Sequence, residues 1–366
     1  MYLIEGGFAM KAAVWYGYKD LRVMDVTEPK IKPGYIKVKV AWAGICGTDR
    51  HEYVGPIFIP VKEPHRLTGR VAPLILGHEF SGIVTEVGDG VENVRVGDRI
   101  TASGNLVCGE CEFCKSGRIN ICEKLGFNGI SDDGAFAEYI LIPKYQAFKI
   151  PNNVTLEEAV LTEPLACGVH STKLITNIVG SLKGKKVAIV GPGMIGISCL
   201  IAAKLAGAEK IMVIGTGNTK EALIKKLGAS IYADSKKVNV IEYAKEWTNN
   251  GKFDVVYECV GLEATLKEAI NISKNGAIVM VMGVYEKEPS FPMNLFQEGE
   301  RILLTSQAYI DELSIVLDAM SKGVVRPLEI ITRRITLDRI VEDGFEELLK
   351  NPDSHVKIAI KIADLE

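Results

Sequence analysis

The chain has 366 residues, of which 47% are apolar and 24% charged, and its formal net charge at pH 7 is −3. This length predicts two domains, or three, each with enough apolar material for a buried core. The slight negative charge, with no basic run interleaved with aromatic residues, argues against a nucleic-acid partner, because phosphates would select a basic face.

The N-terminal stretch MYLIEGGFAMKAAVWYGYKD has no basic segment followed by an apolar one, and so predicts no secretory signal. Four of the eight cysteines crowd into one short stretch, and the other four are scattered in apolar or glycine-rich surroundings. This usage suits a reducing compartment better than a disulfide framework. We therefore expect a cytoplasmic protein.

The first part of the chain, from about residue 10 to residue 165, is predicted to be rich in β-strands. Runs such as YIKVKVAWAG, FSGIVTEVG and GDRITASG alternate with glycine turns, which is typical of short paired strands. We assign residues 1–165 to a first, β-rich domain.

The cysteine cluster CGECEFCKSGRINIC lies within this domain and comprises Cys108, Cys111, Cys114 and Cys122. Two residues between successive cysteines leave little room for disulfides within the cluster. Four thiolates at this spacing are typical of a structural zinc site, with an iron–sulfur cluster as the main alternative. Four thiolates leave no open coordination position, so this site is not expected to be catalytic.

The second part, residues 166–305, has a different pattern. The strand-like runs KKVAIV, KIMVI, SIYAD, FDVVYECVG, GAIVMVMG and RILLTSQ alternate with helical ones such as KEALIKKLGA and LEATLKEAINISKNG. That alternation predicts a doubly wound parallel α/β sheet. The uncharged stretch Val187–Ala203 is better explained as a buried strand leading into a buried helix than as a membrane span.

The stretch GPGMIG follows the first of these strands and precedes an apolar helix. Gly191 would allow the tight turn, Gly193 the approach of a pyrophosphate, and Gly196 close packing of helix and strand. Met194 and Ile195 lie between the last two glycines and would face the same phosphates. Alone the motif could be a glycine-rich turn, but in this context it predicts a Rossmann dinucleotide site.

The preference for NAD or NADP depends on residues about 20 positions further along the chain. An NAD site normally has an Asp or Glu there, which binds the ribose 2′-hydroxyl. Here the stretch from Gly215 to Lys220 contains no carboxylate. Thr216 and Asn218 could donate to a 2′-phosphate, and Lys220 could supply charge, although the usual arginine is missing. We therefore favour NADP over NAD, with use of both cofactors as the alternative.

The last part, residues 306–366, combines a helical stretch, IDELSIVLDAMSKG, with a strand-like one, HVKIAIKI. We expect this C-terminal segment to return to the first domain.

Three further segments carry residues that can bind metals. They are GICGTDRHEY, LGHEFSG and LTEPLACGVH. Taken singly, a cysteine is usually a small apolar residue, a histidine is usually just hydrogen-bonded, and Glu-Pro is usually part of a turn.

Together with the dinucleotide motif, these segments resemble the zinc-dependent medium-chain dehydrogenase/reductase family, within it most closely the butanediol and polyol (sorbitol-type) dehydrogenases. The resemblance covers nearly the whole chain after Met10 and includes GHEFSGIVTEVG, VGDRI and EPLACGVH. It implies that the β-rich first domain is GroES-like and catalytic. Residues 1–9 precede the usual family start at a residue like Met10 and are expected to be either an extension or non-native.

The resemblance also implies roles for individual residues. Cys46, His78 and Glu163 would be the protein ligands of a catalytic zinc, with one position open for substrate. Glu79 would lie beside the metal as a neighbouring or alternating ligand. Asp49 would accept a hydrogen bond from His78 and fix its tautomer.

Two more residues would handle the substrate. Thr48 would bond the substrate oxygen, and His51 would pass the proton towards solvent through the cofactor ribose. A metal-bound oxygen loses its proton far more easily than a free one, from a pKa of about 15.7 to about 7 for water. The resulting alkoxide can transfer hydride to the nicotinamide.

The sequence thus predicts a zinc- and NAD(P)-dependent oxidoreductase acting on a secondary alcohol or vicinal diol of the 2,3-butanediol/acetoin type. The loop EYVGPIFIPVKEPHRLTGRVAPLILGHEFSG resembles that of butanediol dehydrogenases. The four-cysteine cluster, which many of those lack, leaves a threonine or sugar-alcohol dehydrogenase as the alternative. A protein that senses a dinucleotide without turnover is a third possibility.

The partners expected from the sequence are a small alcohol or ketone and further copies of the chain. No nucleic acid or membrane is expected. A homodimer or homotetramer is implied by the resemblance, with the strand near RILLTSQ as the contact edge.

Overall fold

The computed structural model describes residues 8–365. The chain forms two compact units: the first runs to Glu163 and resumes at Leu313, and the second is Pro164–Glu312. The expectation about residues 1–9 falls largely outside the described residues, because the description begins at Phe8.

The described strands are, in chain order, β1 Ala9–Gly17, β2 Asp20–Thr27, β3 Tyr35–Gly44, β4 Leu74–Ile75, β5 Glu79–Val87, β6 Arg99–Ala102, β7 Asn105–Leu106, β8 Gly126–Phe127, β9 Tyr139–Pro143, β10 Ala147–Lys149, β11 Lys186–Val190, β12 Lys210–Gly215, β13 Ile231–Asp234, β14 Phe253–Glu258, β15 Ser273–Val281, β16 Ile302–Thr305, β17 Ile331–Thr336 and β18 Lys357–Lys361.

The described α-helices are α1 Gly47–Val54, α2 Glu112–Lys115, α3 Leu156–Ala159, α4 Thr162–Val179, α5 Met194–Leu205, α6 Glu221–Lys226, α7 Val240–Trp247, α8 Glu263–Ile272, α9 Met293–Glu298, α10 Glu312–Ser321 and α11 Glu346–Lys350. Short 3₁₀ turns lie at Ile119–Ile121, Lys144–Gln146, Pro327–Glu329 and Leu337–Arg339, and a π-helical turn at Ile340–Phe345.

The first unit is built around a sheet in the order β10-β6-β5-β3-β18-β17, with β9 also paired to β3. Strand β3 alternates apolar and polar residues, and its apolar side packs into a core with β1 and β5. Strand β18, from the C-terminal segment, pairs antiparallel with the end of β3. The C-terminal strand therefore lies directly beside the segment that leads into α1.

The second unit contains a six-stranded parallel sheet in the order β13-β12-β11-β14-β15-β16. This is the doubly wound 3-2-1-4-5-6 order, whose strand order reverses between β11 and β14. The expected fold class, a Rossmann domain joined to a β-rich domain, is thus confirmed.

Two details of the second unit bear on the sequence interpretation. The uncharged stretch Val187–Ala203 divides into strand β11 and helix α5, and no helix in the described residues is long and apolar enough to cross a membrane. The helical pattern LEATLKEAINISKNG was too long: α8 ends at Ile272, and β15 begins at Ser273. Ser273 pairs with Phe253 of β14, so strand pairing overrides the helical pattern there.

Candidate active site

Helix α1 begins directly after Cys46, which is its N-terminal capping residue. The Asp49 carboxylate accepts a hydrogen bond from the Cys46 N–H through Oδ2, at 2.9 Å. Asp49 is completely buried, so this bond fixes the turn that carries the Cys46 side chain. The start of α1 therefore holds one potential metal ligand in a defined position.

The pairing of β3 with β5 brings a second group of ligands to the same place. Gly44, at the end of β3, pairs with Glu79, at the start of β5. A Cβ at Gly44 would collide with the Glu79 carboxylate, so only glycine fits there. His78 immediately precedes Glu79, and the ligand atoms of Cys46, His78 and Glu79 all lie within 4.8 Å of one another.

The environment of His78 fits a metal site. His78 Nδ1 is 3.6 Å from Asp49 Oδ1, and both atoms are buried without a hydrogen-bond partner among the described residues. Burial alone would lower the pKa of His78, but the negative charges of Asp49 and then Cys46 raise it well above its ordinary value. Burial raises the pKa of Asp49 to about 6. A half-buried thiol with a buried imidazole and carboxylate fits the nitrogen, sulfur and oxygen ligands that zinc takes in proteins.

Glu79 has a strong partner that the sequence interpretation missed. Lys357 of β18 places Nζ 2.6 and 2.5 Å from the two Glu79 carboxylate oxygens and 2.9 Å from the Ile45 carbonyl. Both side chains are buried. The sequence signal for Lys357 was a lysine at the start of the strand-like stretch KIAIK, a position that usually faces solvent.

The structure places Glu163 close to this group but not within it. Glu163 is buried at the start of α4, and its charge contributes to raising the pKa of His78 and of Lys357. It is not one of the three residues whose ligand atoms lie within 4.8 Å of one another.

Thr48 and His51 lie on α1, three residues apart, and are both half-buried. Residues at this spacing share one face of a helix. Thr48 is two residues after Cys46, so this face begins next to the metal-ligand group.

The four clustered cysteines also come together, with their sulfur atoms all within 4.8 Å of one another. Cys108 Sγ is 3.5 Å from Cys122 Sγ and 4.0 Å from Cys114 Sγ. The N–H groups of Cys114 and Glu123 lower the pKa of Cys111 to about 6, which favours its thiolate.

These spacings discriminate between the two kinds of metal site. A single tetrahedral zinc with bonds of about 2.3 Å separates its sulfur ligands by roughly 3.8 Å. An iron–sulfur cluster, which contains several atoms, would hold the same four sulfurs further apart. The geometry therefore fits zinc.

The glycine motif forms a tight turn between β11 and α5. Gly191 has a φ of +104° and donates its N–H to the Ile214 carbonyl at 2.8 Å. A Cβ at Gly196 would collide with the Gly191 carbonyl, whereas a Cβ at Gly193 would meet nothing within 4 Å. Met194 and Ile195 form the first turn of α5. The turn thus leaves open space at a helix N-terminus, as a pyrophosphate requires.

The end of β12 lies against this turn. A Cβ at Gly215 would come within 2.6 Å of Pro192 and would also collide with the Tyr232 hydroxyl. Thr216 and Asn218 are exposed, and Lys220 is half-buried. These residues follow β12 in the loop beside the glycine turn, and their contact with the adenosine ribose stays a prediction.

A carboxylate from another strand reaches this loop, and the sequence interpretation did not anticipate it. Asp234, at the end of β13, accepts from Gly217 N at 2.8 Å and from Lys236 N at 3.0 Å. These hydrogen bonds and nearby Lys237 outweigh burial and lower the pKa of Asp234.

Family models match both parts of the chain. Residues 32–152 match the alcohol dehydrogenase GroES-like domain, and residues 195–322 match the zinc-binding dehydrogenase domain.

Individual proteins match over nearly the full length. The (R,R)-butanediol dehydrogenase of Bacillus subtilis (strain 168) is 37% identical over 355 residues, which cover 96% of this chain and 99% of that protein. The sorbitol dehydrogenase of the same strain is 30% identical over 358 residues, covering 96% and 97%.

Solved structures agree with these matches. The crystal structure of 2R,3R-butanediol dehydrogenase from Bacillus subtilis has a TM-score of 0.88 and 36% identity, covering 97% of this chain and 100% of that one. A protein of Sinorhizobium meliloti 1021, assigned to the zinc-binding dehydrogenases and solved with NADP bound, has a TM-score of 0.85 and 33% identity, covering 97% and 99%. This chain therefore belongs to the zinc-binding alcohol dehydrogenase family of oxidoreductases, which use zinc and a nicotinamide cofactor.

Proposed function

We propose that this enzyme oxidises and reduces vicinal diols and hydroxyketones of the 2,3-butanediol/acetoin type, with NADP as its preferred cofactor. The observation that carries the proposal is the close group of half-buried Cys46 with buried His78 and Glu79, in a chain that also has a glycine turn at Gly191 suited to a dinucleotide. The group of ligands could hold a zinc ion that acts as a Lewis acid, and the glycine turn could hold the dinucleotide that carries the hydride.

The residues that would hold the catalytic zinc are Cys46 and His78, with Glu163 rather than Glu79 as the carboxylate ligand, because Lys357 already pairs with Glu79. When bound, zinc would supply a Lewis acid that makes an alcohol easier to deprotonate and a carbonyl easier to reduce. Asp49 Oδ1 lies 3.6 Å from His78 Nδ1 and would orient the ring by accepting its N–H, which would leave the other ring nitrogen for the metal. Glu79 remains neutralised by Lys357.

Two residues of α1 would handle the substrate proton. Thr48 would hold the substrate oxygen through its hydroxyl, which releases its own proton as it accepts that of the substrate, and His51 would pass the released proton towards solvent. Both side chains are half-buried, as a relay between a closed site and water requires.

The preference for a small diol is supported by the loop after α1. Glu52 is completely buried, and its carboxylate accepts hydrogen bonds from the backbone N–H groups of Ile57, Phe58 and Ile59 at 2.9–3.2 Å. The Ile57 and Phe58 side chains are nevertheless exposed. Held in this way, apolar side chains suit the methyl groups of butanediol better than the hydroxyl-rich chain of a sugar alcohol.

The preference for NADP is supported by the end of β12. Lys220 lies at the end of the loop that contains exposed Thr216 and Asn218, and Lys236 and Lys237 follow β13 nearby. Asp234 already accepts hydrogen bonds from Gly217 N in this loop and from Lys236 N after β13. The loop thus offers donors and cations for a 2′-phosphate.

The assembly that we propose is a homodimer, or a homotetramer built from such dimers. Strand β16 forms an edge of the parallel sheet, and Ile302 and Leu303 on it are exposed. An exposed apolar edge strand can pair with the same strand of a second copy.

Leu303→Lys is expected to lower the oligomeric state measured by light scattering, and an unchanged mass would contradict the assignment of this edge.

The substrate proposal is tested by following reduced nicotinamide at 340 nm with zinc-loaded protein. We expect kcat/KM for 2,3-butanediol and acetoin to exceed the values for sorbitol and threonine. A clear preference for sorbitol would favour the sugar-alcohol alternative, which the 30% identical sorbitol dehydrogenase supports. Dinucleotide binding without turnover of any alcohol would indicate a sensor rather than an enzyme.

A further inference from the structure

Glu258 is the last residue of β14, and its side chain is completely buried. One carboxylate oxygen, Oε1, accepts hydrogen bonds from Val260 N and Gly261 N, both at 2.9 Å, and from Thr265 Oγ1 at 2.8 Å. This single oxygen therefore shapes the loop between β14 and α8.

Glu258 also holds the segment that follows β15. Its second carboxylate oxygen, Oε2, accepts from Tyr285 Oη at 2.9 Å, and its backbone carbonyl accepts from Met282 N at 2.7 Å and Gly283 N at 3.1 Å. Burial and the neighbouring Glu258 charge raise the pKa of Tyr285, so its hydroxyl stays a donor. One residue thus links two loops that are far apart in the sequence.

The two loops fit together without spare room. A Cβ at Gly283 would collide with Gly261 N and come within 2.8 Å of Glu258 Oε2, and a Cβ at Gly261 would collide with the Val284 carbonyl. A Cβ at Gly191 would come within 2.6 Å of Val260 Cγ2. A shift of the loop after β14 would therefore also displace the glycine turn and the loop after β15.

The sheet order indicates which part of a dinucleotide these loops face. Ligands of doubly wound sheets bind outside the carboxyl ends of the strands, across the point where the order reverses. Here that point lies between β11 and β14, and the β11–β13 half carries the glycine turn and the loop at Thr216. The other mononucleotide, the nicotinamide half, then lies over the ends of β14 and β15. Val260 and Val284, both exposed, present apolar surface there.

We infer that Glu258 is a positioning residue for the nicotinamide half of the cofactor, acting through the loops that contain Val260 and Val284. This inference rests on the proposed function insofar as the chain binds a nicotinamide dinucleotide. Glu258 itself is buried, and its carboxylate acts on the cofactor only through the groups that it holds in these loops and in α8.

The test measures dissociation constants for the reduced cofactor, by nicotinamide fluorescence, and for ADP-ribose or its 2′-phosphate, which lack the nicotinamide. Glu258→Ala, which removes all four side-chain acceptor contacts, is expected to weaken binding of the reduced cofactor by about 10- to 100-fold. Glu258→Gln keeps one oxygen, and Tyr285→Phe removes one donor, so each is expected to weaken it by about 3- to 10-fold. Binding of the ADP-ribose compound should stay within about twofold of wild type.

A matched control comes from the opposite end of the same strand. Asp254 of β14 accepts a hydrogen bond from Lys186 N at 2.8 Å and pairs with Lys274. Asp254→Asn should leave both dissociation constants unchanged. If Glu258→Ala does not fold, Glu258→Gln and Tyr285→Phe carry the test.

The outcomes separate this inference from the proposed function. Equal weakening of both ligands by the Glu258 and Tyr285 variants, or no weakening of either, would overturn the positioning role. A wild type that binds neither ligand would instead remove the dinucleotide part of the proposed function. Zinc content, measured in every variant, should match wild type, since loss of metal would indicate general disruption.

Discussion

Lys357 Nζ lies 2.6 and 2.5 Å from the two carboxylate oxygens of Glu79, in a pair of side chains that are 1% and 0% exposed. The two residues are 278 positions apart in the sequence. Because Glu79 also lies beside Cys46 and His78, this ion pair holds a neutralised carboxylate in a fixed position at the edge of the candidate metal site. It also ties the C-terminal strand β18 to β5.

Removal of one partner of this pair should destabilise the protein strongly. Lys357→Met leaves a buried, unpaired carboxylate, and we expect the free energy of unfolding to fall by about 3–5 kcal/mol. The double variant Lys357→Met/Glu79→Gln should recover much of this loss, because no buried charge remains. Denaturant unfolding measures both. As a control, Lys322→Met breaks the exposed pair with Asp318 and should cost less than about 1 kcal/mol.

Metal content should distinguish the two candidate zinc sites. Wild type is expected to bind two zinc ions per chain, and Cys46→Ser and Cys111→Ser one each. Cys46→Ser should stay folded but inactive, whereas Cys111→Ser should mainly lose stability, since structural metal binding is coupled to folding. Cys167→Ser, outside both ligand groups, should keep two zinc ions. One zinc in wild type, or full activity in Cys46→Ser, would contradict the two-site interpretation.

The sequence predicted these features to different degrees, for physical reasons. The four-cysteine site follows from spacing alone, because all its ligands lie within one short segment. The parallel sheet follows from the alternation of strand and helix patterns. The Lys357–Glu79 pair could not be predicted, because it depends on β18 lying beside β3, and a lysine in a strand usually faces solvent.

Local patterns also failed where tertiary pairing decides. The helical pattern after Leu262 continues past Ile272, yet pairing with Phe253 makes Ser273 the start of β15. Similarly, Asp234 ends β13 whereas Thr216 follows β12, so a count along the chain from the glycine motif did not find Asp234.

The loop after α1 offers a test of substrate positioning. Glu52→Gln replaces an acceptor-only carboxylate with an amide, whose NH₂ would face one of the N–H groups of Ile57, Phe58 and Ile59. We expect kcat/KM for 2,3-butanediol to fall about tenfold, with the cofactor KM unchanged. Glu138→Gln, which alters a carboxylate bonded to Lys11 N, should change neither. An unaltered kcat/KM in Glu52→Gln would show that the loop does not position substrate.

Acid stability should depend on Glu312. This buried carboxylate accepts from Ile310 N at 2.6 Å and lies 3.1 Å from both His170 Nδ1 and Lys173 Nζ. Although burial alone would raise it, His170, then Ile310 N and Lys173 lower the pKa of Glu312 to about 2. A depressed carboxylate pKa stabilises the fold fully above the unfolded value of about 4.5, and this stability is lost as the pH falls towards 2.

The expected contribution of Glu312 is about 3 kcal/mol near neutral pH. The difference in unfolding free energy between wild type and Glu312→Gln should therefore shrink as the pH falls from about 4.5 to about 2. Asp311→Asn, at an exposed neighbour, should show no such dependence. If the difference in unfolding free energy does not change with pH, the charge of the Glu312 carboxylate does not stabilise its contacts with His170, Lys173 and Ile310.

The preference for NADP is best tested at Thr216. Gly215 is unsuitable, because any Cβ there would collide with Tyr232 and Pro192. Thr216 is exposed, and a carboxylate at this position would repel a 2′-phosphate by at least about 1.4 kcal/mol, or tenfold in binding. Thr216→Asp should therefore lower the ratio of kcat/KM for NADP to that for NAD by at least about tenfold, while its isosteric but uncharged counterpart, Thr216→Asn, should change the ratio little.

A wild type that strongly prefers NAD would show that the donors and lysines near β12 do not bind a 2′-phosphate. A similar effect in Thr216→Asn would assign it to lost packing rather than to charge.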